Sequence, residues 1–145
     1  MQVGFDAQYP PSLVWDYLTV PSLEARVLDL DTVARTDSLG GRVRPEAGFY
    51  CAHGDAHFYA RILDWMPFDY RTFVQRAEPL GNLEYLQTRR LIPIENGTRF
   101  AAYLSKPENG ATAEARGQLQ WMSGLFANLT KVIEQDVVEK KVLLP

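Results

Sequence analysis

Apolar residues in the last third of the chain recur at the spacing of a helix. From Ala111 to about Lys141 there is no proline, and one apolar stripe has members three or four residues apart: Leu119, Met122, Phe126, Leu129, Ile133 and Val137. This period is typical of one face of an amphipathic helix, which Trp121, Leu125 and Val132 widen. A helix of roughly thirty residues is about 45 Å long. Because such a helix is not stable alone, its stripe predicts a partner surface.

From Leu30 to the start of this helix, polar and apolar residues alternate with a period of two, which is typical of strands, and Val3–Ala7 alternates weakly. The predicted strands are Val3–Ala7, Thr32–Leu39, Arg42–Arg44 with Gly48–His53, His57–Trp65, Tyr70–Ala77, Leu83–Ile92 and Thr98–Leu104. Gly54-Asp55 predicts a hairpin, and Asn96-Gly97 predicts a tight turn. Pro10-Pro11 and Val20-Pro21 are start signals for two short helices, Leu13–Leu18 and Leu23–Asp29, because proline is favourable at the start of a helix.

Strands first and a helix last indicate the α+β class, with a largely antiparallel sheet of about six or seven strands. We expect residues 1–145 to form one domain whose sheet curls around the long helix. A sheet curled around one helix encloses a space, so the contents of that space decide the function.

Composition excludes some kinds of partner. The net charge is −3 and the pI is near 5.4, which argues against sequence-independent binding to nucleic acid. Arg89-Arg90 and Lys140-Lys141 are interpreted as solvated charges. The lone Cys51 excludes an internal disulfide and fits a reducing compartment. Without a secretory start or an apolar run of about 18 residues, the sequence predicts a cytoplasmic protein with no membrane span.

Three candidate chemistries are weaker than their structural alternatives. His53 and His57 flank Gly54-Asp55-Ala56 and would share one face of a straight strand, as metal ligands must, but Gly-Asp favours a turn. Cys51 and His53 could form a thiolate–imidazole pair, although lone cysteines are usually small core residues. Gly40-Gly41 ends a strand but opens no helix, so it is not a phosphate loop. We therefore predict no metal and no cofactor.

The aromatic residues along the strands and the helix suit either a core or the wall of a ligand pocket. Arg61 shares a strand face with Tyr59 and Leu63, and on an inward face it would need an anionic partner. An outward, solvated Arg61 is the favoured alternative. Gly117 and Gly124 each cost the helix about 1 kcal/mol relative to alanine, and either close packing or room for a ligand would explain them.

Three local motifs resemble the START and Bet v 1-like superfamily, in its polyketide cyclase and Aha1-like branch. They are Ala7-Gln8-Tyr9-Pro10-Pro11-Ser12-Leu13-Val14-Trp15-Asp16-Tyr17-Leu18-Thr19, then Gly41-Arg42-Val43 with Gly48-Phe49-Tyr50-Cys51-Ala52-His53-Gly54, and Leu63-Asp64-Trp65-Met66-Pro67-Phe68. The resemblance covers essentially the whole chain. It implies a helix-grip fold, with two short helices after the first strand and a curved sheet around a long C-terminal helix. In the second short helix, Glu24-Ala25-Arg26-Val27-Leu28 stands where many relatives have a tryptophan.

The resemblance implies a lipid-like, polyketide-like or other aromatic ligand in a hydrophobic cavity between sheet and helix. The candidate ligand-binding residues are Tyr50, His53, Tyr59, Arg61, Phe73, Tyr85, Phe100, Trp121 and Leu125. Gly117, Trp121, Gly124 and Leu125 are expected to form the lid of the cavity.

Two other functions stay open. One is a cyclase or dehydratase in which Tyr59, Arg61, Tyr85 or His53 polarises a carbonyl or moves a proton. The other is an interaction module of the co-chaperone type that uses the outer face of the sheet. The sequence assigns no catalytic residue, and it leaves a homodimer open.

Overall fold

One antiparallel sheet of seven strands packs against the C-terminal helix in the part of the chain that the structure describes. The structure is a computed structural model that describes residues 2–35, 46–78, 83–105 and 112–139. The strands are β1 (Gln2–Ala7), β2 (Thr32–Arg35), β3 (Gly48–His53), β4 (Ala56–Met66), β5 (Tyr70–Glu78), β6 (Leu83–Ile94) and β7 (Gly97–Leu104). The helices are α1 (Pro11–Thr19), α2 (Pro21–Val27), α3 (Thr112–Phe126) and α4 (Asn128–Val138).

The sheet is a meander with one exception. Its order is β1-β7-β6-β5-β4-β3-β2, so β2 to β7 pair with their neighbours in sequence while β1 pairs with the last strand. The predicted α+β class, the helix-grip fold and the two short helices after the first strand are confirmed. The second predicted strand is described only as far as Arg35, and the predicted pairing segment Arg42–Arg44 lies outside the described residues.

The two predicted turns lie at or next to their expected positions. Gly54-Asp55 joins β3 to β4, and Gly54 has a φ of 56°, a left-handed conformation that suits glycine. Glu95-Asn96 joins β6 to β7, one residue before the predicted Asn96-Gly97 turn. Gly97 begins β7 with a φ of 150°, and a Cβ there would lie 2.0 Å from the Ala7 carbonyl oxygen. Close approach of β1 therefore requires glycine at this position.

A β-bulge in β4 decides which of its side chains face the helix. The pairing of β4 with β5 shifts between Ile62 and Asp64. An extra residue in one strand reverses the alternation beyond it. As a result Ile62 and Trp65 are directed to the same side, and Trp65 stacks on Trp15 of α1 with ring centroids 6.1 Å apart. Asp64 bonds instead to the Tyr70 hydroxyl on the exposed side.

The two short helices are present, but they begin at Pro11 and Pro21, two residues before the predicted Leu13 and Leu23, and the second ends at Val27 instead of Asp29. They are tied to α4 by a buried carboxylate, that of Asp136, which is 2% exposed. The guanidinium of Arg26 donates two hydrogen bonds of 2.8 Å to this carboxylate, and the Tyr17 hydroxyl donates a third. This cluster joins α1 and α2 to the end of the chain's last described helix.

The apolar stripe of the C-terminal helix is confirmed. Met122, Phe126, Leu129 and Ile133 are buried, whereas Trp121, Val132 and Val137 pack against the same core from its edge. The expected uninterrupted helix is wrong in one respect. Ala127 separates α3 from α4, although its backbone stays in the right-handed helical region.

The two helical glycines face away from the sheet. Both Gly117 and Gly124 are exposed, and a Cβ added to either would meet no atom within 4 Å. Neither close helix–sheet packing nor room beneath the helix therefore explains them, and the prediction that they form part of a lid is wrong.

We predict that Gly117→Ala stabilises the protein. Alanine gains about 0.5–1 kcal/mol over glycine inside a helix, and the added methyl group meets nothing. The urea midpoint should rise with an unchanged m-value.

The matched control is Gly4→Ala in β1, where the new Cβ would lie 2.6 Å from the Phe100 carbonyl oxygen. This variant should lose stability. A fall in midpoint for Gly117→Ala would contradict the exposed position of Gly117.

Candidate functional site

Two arginines face the helix from neighbouring strands. In β5 the buried row comprises Arg71, Phe73 and Gln75, and in β6 it comprises Tyr85, Gln87 and Arg89. The strand register places Arg71 directly opposite Arg89. Like charges at directly opposed positions destabilise a sheet, so the pair needs an anion between them.

Glu24 of α2 supplies that anion. Its Oε1 accepts a hydrogen bond of 2.8 Å from Nη2 of Arg71 and one of 2.5 Å from Nη1 of Arg89. Arg89 also donates through Nε to the Gln87 side-chain oxygen at 2.8 Å. All four residues are at most 9% exposed. The result is an ionic cluster, Glu24–Arg71–Arg89, that connects a short helix to the middle of the sheet.

Aromatic rings cover the guanidinium groups of this cluster. The Cζ of Arg71 lies 5.2 Å from the Phe73 ring centroid and 5.9 Å from that of Phe49. The Cζ of Arg89 lies 5.0 Å from the centroids of both Phe73 and Phe126. Cation–π contacts at these distances help to offset the desolvation of a buried arginine.

The charges keep Glu24 ionised. Burial by itself raises the pKa of Glu24, but the charges and hydrogen bonds of Arg71 and Arg89 outweigh it and hold the pKa below its usual value. Burial lowers the pKa of Arg89, and Glu24 opposes that shift. The cluster therefore contains one carboxylate and two guanidinium groups at neutral pH.

A cavity opens beside the cluster, between the sheet and α3. Its volume is about 50 Å³, which is room for a few water molecules. Apolar side chains and a few polar groups line it: Glu24, Leu28, Leu30, Phe49, Cys51, Phe58, Ala60, Ile62, Arg71, Phe73, Gln75, Arg89, Gln118, Trp121 and Met122.

Trp121 lies against one wall of the cavity. Its ring stacks on Phe58 with centroids 5.7 Å apart and planes at 15°, and it lies 5.9 Å from the His53 ring. Cys51 lies on the same wall, where burial, with a contribution from Glu24, raises the pKa of its thiol to about 12. A neutral, half-buried thiol fits the small core residue that the sequence favours better than a nucleophile.

Tyr85 presents an unpaired hydroxyl. The side chain is 2% exposed, and its oxygen has no hydrogen-bond partner among the described residues. Burial raises the pKa of this phenol, and Arg89 partly opposes the shift. Tyr85 therefore keeps its proton and is available as a hydrogen-bond donor.

The nine predicted ligand-binding residues lie in different parts of the fold. Phe73 and Trp121 line the cavity and His53 lies beside Trp121, whereas Phe100 and Tyr85 are core residues that pack on Phe126 and on Leu104 with Ala115. The side chain of Leu125 lies outside the described part of the structure. Whether any of them contacts a ligand stays a prediction.

Three of the candidate ligand-binding residues, Tyr50, Tyr59 and Arg61, lie on the outer side of the sheet and do not line the cavity, and Tyr50 shares this side because it pairs with Tyr59. The neighbours of Tyr59, which are Phe58 and Ala60, line the cavity, so the alternation of β4 directs Tyr59 and Arg61 outward. Tyr59 is 45% exposed. The side chain of Arg61 pairs with that of Glu46 on the exposed surface, in agreement with the favoured outward reading.

The hairpin at Gly54-Asp55 also separates the two histidines. His53 lies beside Trp121, and its Nδ1 is 2.6 Å from the Asp29 carbonyl oxygen. His57 lies on the outer side, where its Nδ1 is 2.6 Å from the Tyr50 hydroxyl. The two rings therefore do not converge on a common metal position, as the turn prediction implied.

The ionic cluster was not predicted from the sequence, and the interpretation of Arg89 as a solvated charge is wrong, because Arg89 is buried. One signal could have indicated it. Glu24 lies within an apolar series that runs from the residue before α2 to the residue after it, at the spacing of one helix face: Val20, Leu23, Val27 and Leu28. A carboxylate within an apolar stripe requires a buried cationic partner.

Solved structures with a similar fold have low sequence identity to the chain. Protein MLL2253 from Mesorhizobium loti has a TM-score of 0.75 at 17% identity, over 93% of this chain and 96% of that one. DynU16, a protein of the dynemicin biosynthetic locus, has a TM-score of 0.73 at 18% identity, over 92% of this chain and 46% of DynU16. Ara h 8.0201 has a TM-score of 0.71 at 12% identity, over 92% and 97%.

These similarities define the Bet v 1-like helix-grip fold. The chain matches no protein-family model and no curated protein sequence. Among its described helices, none is long and apolar enough to cross a membrane.

We predict that Glu24→Gln destabilises the protein by about 3–5 kcal/mol at pH 7, because it leaves two buried guanidinium groups without their carboxylate. Arg71→Gln should cost less, since Glu24 then keeps Arg89. Urea denaturation of both variants measures the difference, and a larger loss for Arg71→Gln would contradict the bridging role of Glu24.

The Glu24→Gln variant should also change how stability depends on pH. Folding lowers the pKa of Glu24 from its ordinary 4.5. The ionised carboxylate therefore contributes fully to the free energy of unfolding above pH 4.5, and this contribution is lost as the pH falls through the lower pKa of the folded state. The stability of the wild type should therefore fall more steeply below about pH 4.5 than that of Glu24→Gln. Parallel pH profiles would contradict this assignment.

We predict that Tyr85→Phe leaves the free energy of unfolding unchanged or raises it, because the lost hydroxyl has no partner among the described residues. The control is Tyr17→Phe, which removes a hydrogen bond to Asp136 and should cost about 1–2 kcal/mol. A comparable loss at both positions would show that Tyr85 has a structural partner.

Proposed function

We propose that the chain is a member of the START and Bet v 1-like superfamily that binds a hydrophobic or aromatic small molecule between the sheet and α3. The observation that carries the proposal is the aromatic-walled cavity with an ionic cluster at its side. A single domain over residues 1–145, a cytoplasmic location, the absence of a cofactor and a homodimer stay predictions.

The composition of the cavity wall supports a ligand rather than a closed core. Phe49, Phe58, Phe73 and Trp121 contribute aromatic faces, and Met122 adds an adaptable apolar side chain. Ligand sites in proteins combine such walls with a small number of polar groups that orient the ligand. Buried charges would be unnecessary in a core whose only task is to fill space.

The size of the cavity sets a condition on binding. Pockets for drug-sized ligands measure about 300–1,000 Å³, whereas the space beside the cluster is about 50 Å³. Binding therefore enlarges the cavity. The wall expected to move is α3, because it carries two exposed glycines that weaken a helix and is separated from α4 at Ala127.

Binding is favoured over catalysis by the protonation of the groups in and near the cavity. Burial raises the pKa values of Cys51 and Tyr85, so neither supplies a base near neutral pH. Tyr59 and Arg61 point away from the cavity. The likeness to DynU16, a protein of the dynemicin biosynthetic locus, supports a polyketide-like ligand as one candidate.

A second candidate function is an interaction module that uses the outer face of the sheet. Tyr59, Leu86 and Tyr103 are large side chains that are 40–45% exposed on this side. Aromatic side chains on an exposed face are frequent in protein interfaces. A substitution inside the cavity would leave binding of a protein partner to this outer face unaffected.

We predict that N-phenyl-1-naphthylamine, a neutral apolar fluorophore, binds the folded protein with an increase in fluorescence. Ala60→Leu should abolish this increase, because the larger side chain projects into the cavity that Ala60 lines. The matched control is Val74→Leu on the outer face of the sheet, which should bind the dye like the wild type.

Circular dichroism and urea denaturation establish that both variants are folded. A folded wild type that binds no fluorophore would contradict the proposal. Equal binding by Ala60→Leu and Val74→Leu would place the dye outside the cavity and would contradict it as well.

A further inference from the structure

We propose that the ligand is an aromatic or hydrophobic monocarboxylic acid whose carboxylate binds Arg71 and Arg89. This inference rests on the proposed function and specifies the chemistry of its ligand. Three features of the site support it: the excess of positive charge in the cavity lining, the unused N–H donors of the two arginines, and the unpaired hydroxyl of Tyr85.

The charge balance of the described cavity lining is positive. Arg71 and Arg89 contribute two cations, and Glu24 is the one carboxylate among the described residues that line it. One positive charge is thus buried without a counter-charge in the described lining. Burying a charge is costly unless it is paired, so a ligand with one negative charge is favoured over a neutral one.

The hydrogen-bond donors of the cluster are only partly used. Both arginines donate to the same Glu24 oxygen, Arg71 through Nη2 and Arg89 through Nη1, and Nε of Arg89 is bonded to Gln87. A guanidinium has five N–H donors in one plane. Most of these N–H groups therefore have no acceptor among the described side chains, and the two arginines that carry them line the cavity.

The rings around the guanidinium groups restrict how an acceptor can approach. Phe49 and Phe73 pack near Arg71, and Phe73 and Phe126 pack near Arg89. An acceptor therefore reaches the N–H edges of the guanidinium groups. A carboxylate is planar and can accept two parallel N–H bonds from such an edge.

Tyr85 offers a second anchoring point. Its buried hydroxyl has no partner among the described residues, and Arg89 and Cys51, which line the cavity, are its electrostatic neighbours. A buried hydroxyl without a partner costs free energy, and a hydrogen bond to a polar atom of a ligand would remove that cost. Phe58 and Trp121 would then contact the apolar body of the ligand.

The test compares two ligands of the same shape and different charge. Calorimetric titration of the wild type with 2-naphthoate and with the neutral 2-naphthamide gives the two affinities. We expect the carboxylate to bind at least about tenfold more tightly, the effect of a charge-assisted hydrogen bond. Equal affinities would overturn the inference and leave the proposed function standing, whereas binding of neither probe and of no neutral fluorophore would contradict both.

Two variants of one residue assign the preference to the cluster. Arg71→Lys keeps the positive charge but loses the planar pair of N–H donors, so it should retain part of the preference for naphthoate. Arg71→Gln leaves Glu24 and Arg89 as a neutral pair, so the preference should disappear. Equal loss in both variants, or a preference that survives Arg71→Gln, would overturn the assignment.

Two further measurements do not depend on the variants. In the wild type, naphthoate should shift the Nε–Hε resonances of Arg71 and Arg89 in nuclear magnetic resonance spectra, and binding without such shifts would overturn the proposal. Tighter binding of 2-naphthyl phosphate than of 2-naphthoate would overturn the choice of a carboxylate.

Discussion

The structure depends on one carboxylate, that of Glu24, placed between two arginines that the sheet register forces to face each other. Arg71 and Arg89 occupy directly opposed positions of β5 and β6, and their mutual repulsion is offset because both donate to the same oxygen of Glu24. This requirement fixes α2 over the middle of the sheet. It also introduces charge into a space that would otherwise be apolar, so the position of the short helix and the chemistry of the cavity have the same origin.

A second buried carboxylate performs a related task where the short helices meet α4. Asp136 of α4 accepts hydrogen bonds from Tyr17 of α1 and Arg26 of α2. The two short helices are thus connected to the sheet through Glu24 and to the C-terminal helix through Asp136. The difference between the clusters lies in their surroundings, since the Glu24 cluster borders the cavity and has an excess of positive charge. Only that cluster is therefore suited to a ligand.

The fold could be predicted from the sequence because it depends on periodicity. The stripe from Met122 to Ile133 and the proline-led starts at Pro11 and Pro21 are local signals, and each element they predict is present. The site could be predicted only in part, because it depends on which face of each strand is buried. Arg61 and Arg71 both lie in alternating strands with polar residues on both faces. Only tertiary packing on α2 distinguishes the outward arginine from the buried one.

The orientation of the helical glycines could not be predicted from the sequence either. Gly117 and Gly124 lie seven residues apart and so share a face of the helix, but that face is directed to solvent. Glycine in a helix reports low helical stability without indicating whether anything packs nearby. In β4 the bulge between Ile62 and Asp64 reverses the alternation, and no turn residue announces it. In these cases the local sequence is compatible with two arrangements, and long-range contacts select one.

Native mass spectrometry of the protein, purified from its source cells under non-denaturing conditions, is the most direct test of an acid bound beside the Glu24 cluster. We expect a bound small molecule that proves, after extraction, to be a hydrophobic or aromatic carboxylic acid. That molecule should be absent from the Ala60→Leu variant. A neutral lipid bound in its place, or the same acid retained by the cavity-filled variant, would contradict the account.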